Sequence, residues 1–131
     1  MTPGSKERRI GTSRREVPAT DRSQLLKGTT ALLILGVLRD AELYGYEIAQ
    51  RIRERTGAVI NPGEGWLYPA LHRLERDRLL EATWRDGELG PRRRYYRITQ
   101  RGLESLGEQA AEWETFASSV RLVTGQAPSG G

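Results

Sequence analysis

The order of elements in this chain, three helices, a β-hairpin and one further long helix, predicts a mainly α winged helix-turn-helix followed by a C-terminal dimerisation helix. Three observations carry that expectation. Apolar residues recur at helical spacing as far as Leu79, and the period falls to two between Leu80 and Ile98. From Leu103 to Val120 the apolar intervals run 3, 4, 3, 4, 3. A length of 131 residues admits one core, and 37% hydrophobic with 29% charged residues is a globular balance.

Residues 1–21 read as a disordered basic tail. Beyond Met1 their apolar side chains are Ile10, Val17 and Ala19, too few to offset the entropy of ordering. Residues 125–131 are linker-like in composition and read as a second disordered tail. Between them a winged helix-turn-helix DNA-binding domain is expected over 22–98 and the dimerisation helix over 99–124.

Leu25, Leu26, Leu32, Leu33, Leu35 and Leu38 form a first helix with almost no polar face, so it should lie deep in the core. The segment from Asp40 to Gly45 breaks it. A second helix runs from about Tyr46 to Thr56, with Ile48, Ala49 and Ile52 inward, and Gly57 stops it. After the turn Asn61-Pro62-Gly63 the third helix starts near Gly65 or Trp66, with Leu67, Leu71, Leu74 and Leu79 as its stripe. Pro69 is expected in its first turn, where the N–H groups have no partners anyway. Leu80, Ala82 and Trp84 then alternate with polar residues. Arg94 to Ile98 returns beyond the loop Asp86–Pro91, giving a two-stranded wing.

Thr99 caps the last helix and Gly125 ends it. At about 1.5 Å per residue this helix is roughly 35–40 Å long, too long to pack wholly on so small a domain. Its seam of Leu103, Leu106, Ala110, Trp113, Ala117 and Val120, with Phe116 beside it, is therefore expected to form a homodimer interface.

Several chemistries are excluded. Zero cysteines rule out disulfides, thiol nucleophiles and thiolate metal sites. His72 is the one histidine and has no partners at ligand or acid–base spacing. Gly63-Glu64-Gly65 is too short a match for a phosphate loop. Glu75 and Asp77 fall among Arg73, Arg76 and Arg78 and read as ion-paired. No enzyme activity, metal or cofactor is expected. The most apolar run, Ala31 to Leu38, falls far short of the roughly 20 residues a membrane helix needs. A cytoplasmic protein with no membrane partner is expected.

Lys and Arg number 21 against 17 Asp and Glu, a net charge of +4. The surplus gathers on the expected wing, where Arg92, Arg93, Arg94, Arg97 and Arg101 occur with no acidic residue among them. A charge run alone is usually a solvated face. On a hairpin beside a groove-binding helix, phosphates and the minor groove become its natural partners. On the third helix Glu64, Gly65, Trp66, Tyr68, Pro69, His72 and Arg73 lie in the first turns and are candidate DNA contacts. Lys27, with Tyr44 and Tyr46 at the start of the second helix, adds candidate backbone contacts, because a helix N-terminus favours phosphate.

Three ordered motifs over residues 25–124 resemble PadR-type transcriptional regulators. They are Leu43-Tyr-Gly-Tyr-Glu-Ile-Ala49, Gly65-Trp-Leu-Tyr-Pro-Ala-Leu-His-Arg-Leu-Glu75 and Arg94-Tyr-Tyr-Arg-Ile-Thr-Gln-Arg-Gly102. The single C-terminal helix resembles the short subtype of that family. The resemblance implies a bacterial homodimeric repressor of double-stranded DNA operators, in a family whose members are often released by a small aromatic or drug-like ligand, here expected to be planar and aromatic. Pairing through the seam of the last helix predicts that the operator is a palindrome. It also implies that Trp113 stacks on such a ligand. Indole rings from two chains meeting on a two-fold axis would leave a flat slot that Phe116 and Leu106 help to line, the alternative being that Trp113 simply fills the interface. Two positions depart from the family pattern: Trp66 stands where Ser or Thr is usual, and Arg78 where Gly is usual. The residues themselves leave open a winged-helix protein-interaction module or a sequence-independent nucleic-acid binder.

Overall fold

The structure, a computed structural model, describes residues 19–87 and 90–126, with side chains from residue 28 onward. Its elements are α1 (Ala19–Val37), β1 (Leu43–Tyr44), α2 (Gly45–Arg55), α3 (Glu64–Arg76), β2 (Leu80–Arg85), β3 (Arg93–Ile98) and α4 (Gln100–Thr124). Residues 1–18 and 127–131, which make up most of the two expected tails, lie outside the described residues, as do 88 and 89 in the wing loop. The chain forms two compact units, Met1–Thr30 and Ala31–Gly131.

In the first unit the described residues, 19–30, are helical. The helix thus begins upstream of the boundary at 22 that composition suggests. Low apolar content excludes a core but not a helix: Ala19 is the best helix former and Asp21 suits a first turn.

The second unit holds the core. The end of α1 contributes Ile34, Leu35, Val37 and Leu38, α2 contributes Ile48 and Ile52, and α3 contributes Leu67, Ala70, Leu71 and Leu74. Leu43, Leu80 and Tyr96 close it from the sheet. Ile34, Leu35, Ile48 and Leu71 are fully buried, each stabilising by about 1.5–3 kcal/mol relative to exposure. Leu32 and Leu33, expected in the core, are only half-buried.

The sheet is antiparallel in the order β1-β3-β2. The expected two-stranded wing pairs Leu80 with Ile98 through to Arg85 with Arg93. To it the structure adds β1, whose Leu43 and Tyr44 pair with Tyr96 and Tyr95. Two residues are too short a run to show an alternation in sequence, and only the neighbouring strand makes them a strand.

α2 and α3 end in the same hydrogen-bonded turn. After α2 the Gly57 N–H donates to the Glu54 carbonyl and the Ala58 N–H to that of Arg53. After α3 the Arg78 N–H donates to Glu75 and the Leu79 N–H to Leu74, both at 2.9 Å. This pattern needs a left-handed residue just past the helix, which favours glycine. Gly57 supplies it at φ 60°, whereas Arg78 is forced to φ 66°.

α3 starts one residue earlier than expected, at Glu64, so Pro69 is its sixth residue and not in the first turn. A proline there cannot donate to the carbonyl four residues back, which belongs to Gly65. Gly65 is exposed, which leaves that oxygen open to solvent, and the helix continues to Arg76.

Thr99 caps α4 as expected. Its hydroxyl accepts from the Gly102 N–H at 3.0 Å and donates to the Arg78 carbonyl at 2.8 Å. The next turn lies so close that a Cβ on Gly102 would overlap the Leu79 carbonyl and approach Ile98 Cγ1 to 2.7 Å. Gly125 ends the helix at φ 77°. No helix among the described residues is long and apolar enough to cross a membrane.

Candidate nucleic-acid interface

The buried stripe of α3 leaves an opposite face to solvent. Glu64, Gly65, Tyr68, Pro69, His72 and Arg73 are all exposed there, and Arg76 extends the same face one turn beyond His72. Arg76 was not among the sequence candidates, although its spacing of four from His72 points to it.

Trp66 departs from the expected exposed reader. It lies four residues before Ala70, at the edge of the buried stripe, and packs half-buried against the core. Its indole N–H is enclosed and has no hydrogen-bond partner among the described residues. A side chain this large gains more by burial than by pointing outward from a first turn.

Tyr68 leans back onto the start of α2. A Cβ on Gly45 would meet the Tyr68 hydroxyl and lie only 2.8 Å from Cζ. The bare backbone of Gly45 is therefore what seats this ring. The two helices frame a cleft of about 250 Å³, with Tyr46, Gln50, Arg53 and Asn61 along its walls.

At the N-terminus of α2 the Glu47 carboxylate accepts from the Tyr44 N–H at 3.2 Å. Tyr46 is 63% exposed and stacks on Tyr44, with ring centroids 6.4 Å apart. Tyr44 in turn meets the edge of Tyr95 at 5.4 Å. Two guanidinium groups lie on these rings, Arg93 at 4.6 Å over Tyr44 and Arg85 at 4.2 Å over Tyr95. Lys27 is on α1, but its side chain lies outside the described residues.

The wing arginines, alike in sequence, sit in unlike surroundings. Arg85 pairs with Glu42, Arg97 with Glu81 across the strands, and Arg92 with Asp86 at 3.3 Å, all with well-exposed side chains. Arg93 has no carboxylate partner among the described residues. Arg94, expected as a DNA contact, instead turns toward α3 and bonds Glu75 at 2.5 Å. Glu75 is therefore paired across the fold and not with its helical neighbours Arg73, Arg76 and Arg78. Beside this pair Tyr96 is 2% exposed. Burial pushes its phenol above the ordinary value near 10, against the opposing pull of Arg94.

On α4 the expected seam is uncovered. Trp113 and Phe116 are 45% and 61% exposed, and their centroids lie 6.1 Å apart. Leu106, two turns earlier on the same stripe, packs on the core and lines a groove of about 510 Å³ between α1, α2 and α4. One chain thus brings Trp113 and Phe116 together and leaves Leu106 apart. Ala110 and Val120 are exposed, while Ala117 is half-buried.

Comparison with known proteins converges on one family. Residues 34–108 match the model of the Transcriptional regulator PadR-like family. A transcriptional regulator of Mycobacterium tuberculosis is 37% identical over 94 residues, covering 72% of this chain and 84% of the relative. A PadR family transcriptional regulator from Eggerthella lenta superposes with a TM-score of 0.71 at 31% identity, covering 81% of this chain and 90% of the other. A PadR-like transcriptional regulator from Bacillus cereus gives 0.65 at 35% identity, with 77% and 96% covered.

Proposed function

Because this chain belongs to the PadR-like family of transcriptional regulators, and so is a DNA-binding regulator and not an enzyme, we propose that it acts as a homodimeric repressor on a palindromic operator. The observation that carries this reading is the exposed face of α3. Glu64, Tyr68, His72 and Arg73 stand on the element that enters the major groove in this fold. The tyrosines at the start of α2 and the stacked Arg93 flank it at positions suited to phosphate.

Dimerisation is supported by the uncovered seam on α4. An exposed stripe that includes Trp113, Phe116 and Val120 is apolar surface of the kind that marks an interaction site. Two copies joined there would hold two α3 helices about one turn of DNA, roughly 34 Å, apart. The paired rings of Trp113 and Phe116 support an effector site for planar aromatic compounds at that joint. A ligand there would alter operator affinity only through its different affinities for two dimer states.

Selection of duplexes from a random pool, followed by gel shift against a scrambled duplex of equal composition, tests the DNA reading. A selected palindrome with half-sites about one helical turn apart is expected. Equal affinity for both duplexes would leave only sequence-independent binding.

A further inference from the structure

We propose that Arg94 is a positioning residue, not a DNA contact: through Glu75 it braces the wing against α3 so that both meet one stretch of DNA together. The inference rests on the DNA-binding reading above and assigns a role within that site.

Register places Arg94 opposite Trp84, on the side of the sheet that carries Leu80, Ala82 and Tyr96 toward the core. Arg85 and Arg93, one residue away on each strand, fall on the other side, with Tyr95 and Tyr44. The neighbours Arg93 and Arg94 therefore point in opposite directions. Only the first has its guanidinium on the outer face.

Burial separates this ion pair from the others. The side chains of Arg94 and Glu75 are 33% and 29% exposed, and the Arg94 Nε is enclosed, with no hydrogen-bond partner among the described residues. The Arg94 guanidinium also lies 5.7 Å from the ring centre of the buried Tyr96. The pairs of Arg85, Arg92 and Arg97 are each about half exposed or more. Such surface pairs are weak, so little is lost when the arginine leaves its carboxylate. Moving Arg94 out to a phosphate would strand Glu75 in a half-buried crease without its cation.

The consequence is geometric. Glu75 lies in the last turn of α3, two residues after Arg73, and Arg94 lies one residue after Arg93. The bond between them fixes the distance from the reading face of α3 to the outer face of the wing. A brace of this kind affects specific recognition, which needs both elements in register. It leaves loose electrostatic binding largely alone.

The test uses the full chain, a duplex selected by the unaltered protein from a random pool, and a random-sequence duplex. Affinities are read over a range of salt, at a temperature where thermal melts show every variant folded. Arg94→Gln and Glu75→Gln should each weaken the selected duplex about tenfold, within the range of a lost base contact. Binding to the random duplex should change about twofold or less, and the slope of log K against log salt should stay constant. Exchanging the two charges, Glu75→Arg with Arg94→Glu, should recover most of the loss.

A phosphate contact gives the opposite pattern. Arg94→Gln would then flatten the slope by about 0.9, and Glu75→Gln would free the cation and tighten binding, which overturns the proposal. Variants that melt lower but keep the ratio of selected to random affinity also overturn it, since the pair would then serve stability alone. If the unaltered protein selects no sequence, the DNA reading itself fails, before any variant is made.

Discussion

Replacing Arg78 by glycine should stabilise this protein, although arginine is the more helix-compatible residue. The reason lies in the turn that closes α3. Its two hydrogen bonds, Arg78 N–H to Glu75 and Leu79 N–H to Leu74, hold the position at φ 66°. For a residue with a Cβ the left-handed region costs about 1–2 kcal/mol, and for glycine essentially nothing. Glycine loses about 0.4–1 kcal/mol of that gain through the greater freedom of the unfolded chain. The Arg78 side chain is exposed and has no ion pair among the described residues, so little else is lost. The balance is a gain of about 0.5–1 kcal/mol, or roughly 2–5 °C in melting temperature for a domain of this size. Urea and thermal unfolding at fixed protomer concentration would measure it, since association shifts apparent stability. Arg78→Ala is the decisive control because it removes the charge and keeps the Cβ. If the alanine and glycine variants melt together, or the glycine variant melts below the parent, the argument from backbone strain is wrong.

Other perturbations probe other parts of the fold. Gly102→Ala should cost several kcal/mol, because its Cβ would overlap the backbone carbonyl of Leu79 rather than a movable side chain; a soluble variant with an unchanged urea midpoint would contradict this. Gly45→Ala should leave stability within about 1 kcal/mol, since the atoms nearest the added Cβ are the hydroxyl end of the exposed Tyr68 ring, while binding to the selected duplex falls; unchanged gel shifts would show that Tyr68 is no part of recognition. The raised Tyr96 pKa means that the unfolded chain loses this proton first, so its contribution to stability is intact below about pH 10 and is lost as pH rises through the folded-state value. Tyr96→Phe should flatten that alkaline loss, as read from melting temperature against pH. Trp113→Ala should shift the sedimentation equilibrium toward monomer and abolish the quenching of tryptophan fluorescence by planar aromatics; quenching that is absent in the parent or survives the substitution would refute the ligand slot and leave Trp113 as interface core.

The surroundings of the wing arginines bear directly on how many phosphates the protein neutralises. A count from composition would make every one of them a contact. The structure engages Arg85, Arg92, Arg94 and Arg97 with carboxylates. Three of those pairs are about half exposed or more, and the fourth is about two-thirds buried; on the bracing role proposed for Arg94, only the three would open on DNA. Arg93, stacked on Tyr44, has no ion pair to break among the described residues. Its replacement by alanine should therefore lower the salt slope by about one unit, where the same change at Arg94 should not.

Much of this architecture is legible along the chain because its causes are local. Helical periods, the change to alternation at Leu80, the cap at Thr99 and the stops at Gly57 and Gly125 each follow from residues within a few positions of one another. The seam on α4 and the exposed face of α3 follow from the same short-range geometry. What tertiary structure alone decided depends on residues distant in sequence. Glu42 reaches Arg85 across 43 positions and Glu75 reaches Arg94 across 19, while β1 exists only because β3 lies beside it. Trp66 packs against the core because burial of so large a side chain outweighs exposure, and Arg78 took a glycine's conformation because the α3–β2 turn required one. Spacing determines which face a side chain occupies, but the partner it meets there is supplied by the rest of the fold, and the partner decides whether an arginine is free for DNA or held inside the protein.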